Sequence, residues 1–296
     1  MLSSTDFLLI IGLVTLSKSH MQLYHPPPFA AANNPHLTAR PDPYLDYPYN
    51  CCGRTTPFPC KGYLNHLNTP QGRPVVSWPA GSEQNFSLTG TGNHYGGSCQ
   101  VGFSIDRGTT WNVAKSFEGN CPYRDGGTDD PETQTFGFKV PGDIPVGVQV
   151  FAWTWINRER EFNMLCAAVE IASGDGKKPA VSSFEVGKGK ERSSRAQVRQ
   201  HAHQYHRQDT SSCGAHDGPS DGNATVNNAN SNVTSAAIPE TISFNDRPSF
   251  LFANIDNGCW TPKTDYELKY PNPGPDVGMG DGEYQLKLPE PADLCN

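Results

Sequence analysis

Three observations predict an all-β chain, most simply an antiparallel β-sandwich with long loops. Apolar residues between positions 74 and 172 recur with a period of two. The chain holds 26 prolines and 29 glycines, and it has no long stretch at helical spacing. Each segment is justified in chain order below.

Phe7 to Leu16 is a ten-residue apolar run, too short to span a bilayer as a helix at about 1.5 Å per residue. Ser17 and Ser19 follow it as small residues before a cleavage point, so residues 1–19 are predicted to be a signal peptide, although the flank carries Asp6 and no Lys or Arg. Cleavage after Ser19 makes His20 the new N-terminus. A terminal histidine offers a metal both a primary amine and an imidazole nitrogen, which no internal histidine can do. Nine cysteines without a Cys-x-x-Cys pair favour disulfides over zinc, and Asn85, Asn223 and Asn232 each head a glycosylation sequon. These features point to a secreted, extracellular protein. The odd cysteine count leaves one over, with Cys213 and Cys295 the candidates to stand outside the main framework.

Residues 20–73 are rich in Pro, Asn and Tyr with little alternation. They are predicted to be a loop-dominated segment tied down by Cys51, Cys52 and Cys60, and loops of that length in a compact domain are usually functional. Strands follow. Cys99, Val101, Phe103 and Ile105 alternate with Gln100, Gly102 and Ser104 up to the turn Asp106-Arg107-Gly108. Phe136, Phe138 and Val140 do the same up to Pro141-Gly142-Asp143. Val148 to Trp155 is more continuously apolar, as befits a strand buried on both faces, and Cys166 to Ile171 is its expected hairpin partner. Trp153 and Trp155 lie on one face of that strand and are read as core.

Residues 173–242 degrade into Gly, Ser, Asn, Lys, Gln and His, a composition expected to form a disordered insertion. Residues 175–210 carry eight Lys/Arg against four Asp/Glu within a chain of net charge −7. That balance disfavours nucleic acid as a partner, and the basic stretch reads as a solvated linker, not a membrane-binding arm. Apolar alternation returns in Phe250-Leu251-Phe252 and in Tyr266, Leu268 and Tyr270. So short a segment cannot form its own domain and should dock back onto the first. The expected organisation is a β-sandwich of residues 20–172 plus 243–277, with 278–296 as a C-terminal tail.

His20 needs another ligand to hold a metal. His25, His36, His66, His94 and the group His201, His203, His206 and His216 are the candidates. His94 stands out because Gly90-Thr91-Gly92-Asn93 and Gly96-Gly97 flank it just ahead of a strand, a flexible loop on a rigid scaffold.

Several blocks then coincide with a known pattern. They are His20-Met21-Gln22-Leu23 with Pro26-Pro27-Pro28-Phe29, Phe58-Pro59-Cys60-Lys61-Gly62-Tyr63, His94-Tyr95-Gly96-Gly97-Ser98-Cys99-Gln100 and Phe151-Ala152-Trp153-Thr154-Trp155. Cys166-Ala167-Ala168-Val169, Phe252-Ala253-Asn254-Ile255 and Tyr270-Pro271-Asn272-Pro273-Gly274-Pro275-Asp276 complete them. In this order they resemble the auxiliary-activity family 11 lytic polysaccharide monooxygenases over about residues 20–277. The resemblance implies an immunoglobulin-like or fibronectin III-like sandwich and a secreted monomer. It implies one copper ion, held by the terminal amine and ring nitrogen of His20 and a ring nitrogen of His94. It implies an oxidoreductase that cleaves chitin or a related β-linked polysaccharide oxidatively, with an external reductant as electron donor and O2 or H2O2 as co-substrate.

The match departs from the pattern near the metal. Where the family has an Arg-Glu pair, an axial Tyr and a Cys, this chain has Arg160-Glu161-Phe162-Asn163-Met164-Leu165-Cys166, two residues shorter upstream. Keeping Arg160-Glu161 and Cys166 in register puts Asn163 in the tyrosine slot; a shift of one residue puts Phe162 there. Glu161 and Asn163 share a strand face and are the expected catalytic pair. The rival reading is a non-catalytic copper-binding or carbohydrate-binding protein that keeps both histidines. A hydrolase is weakly supported by the scattered acids Asp129, Asp130 and Glu132.

Overall fold

A computed structural model describes residues 20–90, 92–125, 129–174 and 242–295. The expected signal peptide lies outside the described residues, as do positions 175–241 of the expected insertion with Cys213, Asn223, Asn232 and the histidines at 201, 203, 206 and 216.

Thirteen strands are described. They are β1 (Met21–His25), β2 (Asn50–Cys51), β3 (Arg54–Thr55), β4 (Ser77–Pro79), β5 (Glu83–Gly90), β6 (Ser98–Ser104), β7 (Asn112–Glu118), β8 (Thr135–Lys139), β9 (Gly147–Ile156), β10 (Phe162–Ala172), β11 (Tyr266–Leu268), β12 (Val277–Met279) and β13 (Gln285–Lys287). A three-stranded sheet in the order β1-β5-β8 faces a six-stranded sheet in the order β12-β7-β6-β9-β10-β4. Side chains from both meet in one core: Met21, Leu23, Phe86, Leu88, Phe136 and Phe138 from the small sheet, and Val101, Phe103, Phe151, Trp153, Trp155 and Leu165 from the large one. The fold is therefore the β-sandwich that the alternation predicts. Trp78 meets Phe138 and Phe151 edge-on at 5.5 and 5.3 Å between ring centroids, a geometry that adds to the burial of each ring.

The second face of the large sheet is covered as well. Val150, Ala152, Ile156, Phe162, Met164, Cys166 and Ala168 pack against Phe29, Phe250, Leu251, Leu268 and Tyr270. This is why β9 reads as continuously apolar, and why the segment after 242 docks on the sandwich. Val148, at the start of β9, stays half exposed. β9 and β10 pair antiparallel without a bulge from Phe162 opposite Ile156 to Ile171 opposite Gly147.

The structure refines two expectations and corrects three. The segment 20–73 is loop-dominated but includes β1, which joins the small sheet with Met21 opposite Gly90. The sandwich is antiparallel except at the two edges of its large sheet, where β10 with β4 and β12 with β7 run parallel. Both edge strands arrive from long connections and not from hairpins, so nothing forces the antiparallel direction. Cys51 bonds its neighbour Cys52 and does not anchor the segment; that anchor is Cys60–Cys166. Cys295 is not left over but bonds Cys259, while Cys99 bonds Cys121. The residues after 277, expected as a tail, carry β13, which pairs with β11.

The loop segment also closes an open edge. Phe29 and Tyr49 donate their backbone N–H groups to the carbonyls of Cys166 and Phe162 on β10. An exposed strand edge is an invitation to aggregation, and here the covering segment is held by the Cys60–Cys166 bond. That segment begins at His20.

Candidate metal centre

Three separate parts of the chain converge at one end of the sandwich. His20 stands at the head of β1, His94 in the loop between β5 and β6, and Glu161 in the turn between β9 and β10. Gly90 permits the close approach of β5 to His20. A Cβ there would lie 2.2 Å from the His20 carbonyl oxygen, and its φ of +136° is one that other residues rarely adopt.

The His20 and His94 rings stack with centroids 4.7 Å apart and an interplanar angle of 17°. Glu161 bridges them, with Oε2 3.2 Å from His20 Nε2 and 3.7 Å from His94 Nε2. Their donor atoms all lie within 4.8 Å of one another, and no other group of three His, Cys, Asp or Glu side chains among the described residues is that close. His20 is buried and Tyr47 meets its ring edge-on. The Cys51 Sγ lies 4.0 Å from His20 Nε2.

The turn before β10 is built to present carboxylates. The Asn157 Oδ1 accepts from the backbone N–H groups of Glu159 and Glu161, both at 2.9 Å, and Asn157 Nδ2 donates to Glu161 Oε2 at 2.6 Å. Burial raises the Glu161 carboxyl's affinity for a proton, but the hydrogen bonds from His20 and Asn157 and the nearby imidazoles outweigh it and hold the group below the usual carboxylate range. Glu159 takes His94 from the other side, with Oε2 3.1 Å from Nδ1. A carboxylate on one imidazole nitrogen fixes the tautomer and leaves the other nitrogen free to ligate.

Comparisons with known proteins decide the family. The AA11 family lytic polysaccharide monooxygenase A of Aspergillus fumigatus is 39% identical over 184 residues, which cover 60% of this chain and 75% of that protein. The chain belongs to the AA11 family of lytic polysaccharide monooxygenases. It is therefore a copper-dependent oxidoreductase of the monooxygenase class. A second A. fumigatus member, monooxygenase B, is 33% identical over 171 residues, and a member from Aspergillus oryzae is 34% identical over 166. The chain spans about two fifths of the length of each of these two. No family model matches the chain. Among solved structures, a cellulose-active polysaccharide monooxygenase from M. thermophila aligns at 11% identity and a TM-score of 0.27 over 36% of this chain and 57% of its own. One from Kitasatospora papulosa aligns at 14% and 0.23 over 33% and 50%.

The residues of this AA11 chain fit copper. Imidazole nitrogens are the donors that copper favours, and the His94 Nε2 is buried without a hydrogen-bond partner on the side facing His20 and Glu161. An orphaned buried nitrogen of that kind is costly unless something binds it.

Of the sequence-predicted residues, His20, His94 and Glu161 are brought together. Asn163 is fully buried on the inner face of β10, where its Nδ2 donates to the carbonyls of Met21, Leu45 and Asp46 at 3.3, 3.3 and 3.4 Å. Phe162 points the opposite way, packing against Phe58 and Phe252. His25, His36 and His66 lie outside the group, near Trp78, the Pro74 carbonyl and Tyr63 respectively. Sequence reasoning missed Glu159 and Asn157, although a second acid two residues before Glu161 was a readable signal. It also missed Trp155 as a support of the His94 loop, where its Nε1 donates to the Gly96 carbonyl at 3.0 Å.

Proposed function

We propose that the mature protein begins at His20, is secreted, and acts as a monomer that cleaves chitin or a related β-linked polysaccharide oxidatively. Copper would be held by His20 and His94. When bound, it supplies the one-electron and oxygen chemistry that no side chain can. The observation that carries this reading is the pair of stacked imidazoles, 4.7 Å apart, bridged by one carboxylate in a member of this family. The reductant that feeds electrons and the O2 or H2O2 co-substrate come from outside the chain.

The remaining residues have roles set by their contacts. Glu161, ionised and bridging both rings, accepts the His20 Nε2 proton and so leaves that ring's other nitrogen for the metal. Its carboxylate would also offer a hydrogen-bond acceptor beside a bound metal. Glu159 does the corresponding service for His94. Asn163 stands where the family pattern has a tyrosine and, through the Met21 carbonyl, fixes the residue that follows His20. Tyr95, widely exposed beside His94, and Tyr24, half exposed on β1, supply flat surface for a sugar chain.

The test is mass spectrometry of the products released from chitin by the copper-loaded protein with ascorbate and H2O2. Oxidised oligosaccharides that vanish in His94→Ala support the proposal; unmodified sugars released without reductant overturn it. The second reading, a copper-binding or carbohydrate-binding protein without catalysis, is favoured by one observation. The Asn163 Nδ2 is engaged by three backbone carbonyls while its Oδ1 is buried without a hydrogen-bond partner, and no phenol stands in its slot. Tight copper binding with no products from any β-linked polysaccharide would favour it.

A further inference from the structure

Four successive residues, His94, Tyr95, Gly96 and Gly97, have positive φ, at 48°, 56°, 104° and 111°. For the two that are not glycine this is a sparsely populated conformation, which persists only where the surroundings impose it. The surroundings are contributed by a distant part of the chain. Glu267 on β11 has a side chain only 1% exposed, and its Oε1 accepts from Gly97 N at 3.0 Å and Asn120 N at 2.9 Å. Arg124 lies 3.4 Å from both Glu267 oxygens and donates to the Tyr95 carbonyl at 2.6 Å. It is itself held by Asp281 at 2.7 and 2.8 Å. There is no room for slack: a Cβ at Gly96 would lie 2.5 Å from Glu267 Oε1.

We infer that Glu267 is a positioning residue for the second metal-binding histidine, locking the left-handed loop so that His94 faces His20. The inference rests on the reading that His94 ligates copper. A buried carboxylate is costly to fold, and it is tolerated where several donors converge on it. Here the donors are the loop's own amide, the amide of Asn120 at the far end of β7, and the guanidinium that also grips the loop's carbonyl. The segment from 265 to 283 gives no ligand to the metal, yet it sets where one ligand stands.

The test uses the mature chain beginning at His20, with copper(II) as probe. Glu267→Gln keeps the side chain's size and removes its charge. It is expected to weaken copper(II) binding by about tenfold to a hundredfold, the range for groups that orient a ligand. It should also change the copper(II) electron paramagnetic resonance spectrum, and in the metal-free protein speed hydrogen exchange at the Gly97 amide. Asp281→Asn, at a more exposed site, should move all three in the same direction by less. Unchanged spectrum, affinity and exchange in Glu267→Gln would overturn the inference, and would leave a role in general stability alone. If Glu267→Gln does not fold, an unaltered spectrum and unaltered exchange in Asp281→Asn overturn it. A wild-type chain that binds no copper at His20 and His94 would instead sink the proposed function, with Gly97 exchange still reporting on the loop.

Discussion

Gly90→Ala is a one-methyl change, ending β5 directly opposite Met21, that should disturb the metal centre from behind. The added Cβ would stand 2.2 Å from the His20 carbonyl oxygen and 3.1 Å from Met21 Cα, whereas ordinary contacts begin near 3.4 Å. The His20 backbone must therefore retreat by about 1 Å, or the end of β1 must part from β5. Alanine at φ +136° adds backbone strain of about 1–3 kcal/mol, and forcing the strands apart costs a further 1–3 kcal/mol or so. A site that works within about 0.5 Å should not survive this intact. Urea unfolding should show a loss of roughly 2–6 kcal/mol. A copper(II) competition titration on the mature chain should show affinity lowered on the order of tenfold or more. Affinity within twofold of wild type, with stability unchanged, would refute the claim that the approach of β5 to His20 sets the position of that ligand.

Glu159→Ala should weaken copper(II) binding about tenfold to a hundredfold while leaving metal-free stability nearly unchanged, because the pair it forms with His94 is half exposed; competition titration and thermal melts check this. Asn163→Ala strips the donor from the buried carbonyls of Met21, Leu45 and Asp46 and should cost about 1–3 kcal/mol. It should also alter the copper spectrum, whereas Phe162→Tyr, on the opposite face, should affect packing only. Burial pushes the Lys61 ammonium down to about 7, against the pull of Asp42 and Asp46. Between pH 7 and 10.5 the unfolded chain thus binds more protons at this lysine than the folded one does, and stability should rise with pH by at most about 1.4 kcal/mol per unit. Tyr63, pushed up to about 12 by burial and Asp42, reverses the trend only above pH 10. Denaturation curves at pH 7–9 should therefore rise in wild type and flatten in Lys61→Met.

What the sequence made legible follows the range of each signal. The sandwich was readable because alternation in Phe136 and Phe138 or Val101 and Phe103 is a local record of which face is buried. His20 and His94 could be singled out because a cleavage point and a cluster of glycines are also local marks. β1 was hidden, since five residues ahead of Pro26-Pro27-Pro28 carry too short a pattern, and only pairing with β5 makes them a strand. The parallel edges and the Cys60–Cys166 and Cys259–Cys295 bonds depend on where long connections return, which spacing does not encode. Glu267 was invisible for the same reason: it meets Gly97 across 170 positions, and nothing around it distinguishes it from a surface acid.

The turn from Asn157 to Glu161 has a consequence for how such a protein can change. Its closure is local, through Asn157 Oδ1 and the pair of backbone bonds that Asn157 makes with Glu161 and Arg160, while the strands it joins stay in unbroken register. Residues gained or lost in it are absorbed at the tip and never reach the aromatic core. The reach of two carboxylates toward the imidazoles can thus drift between lineages at little cost, with Asn163 and the sheet left standing.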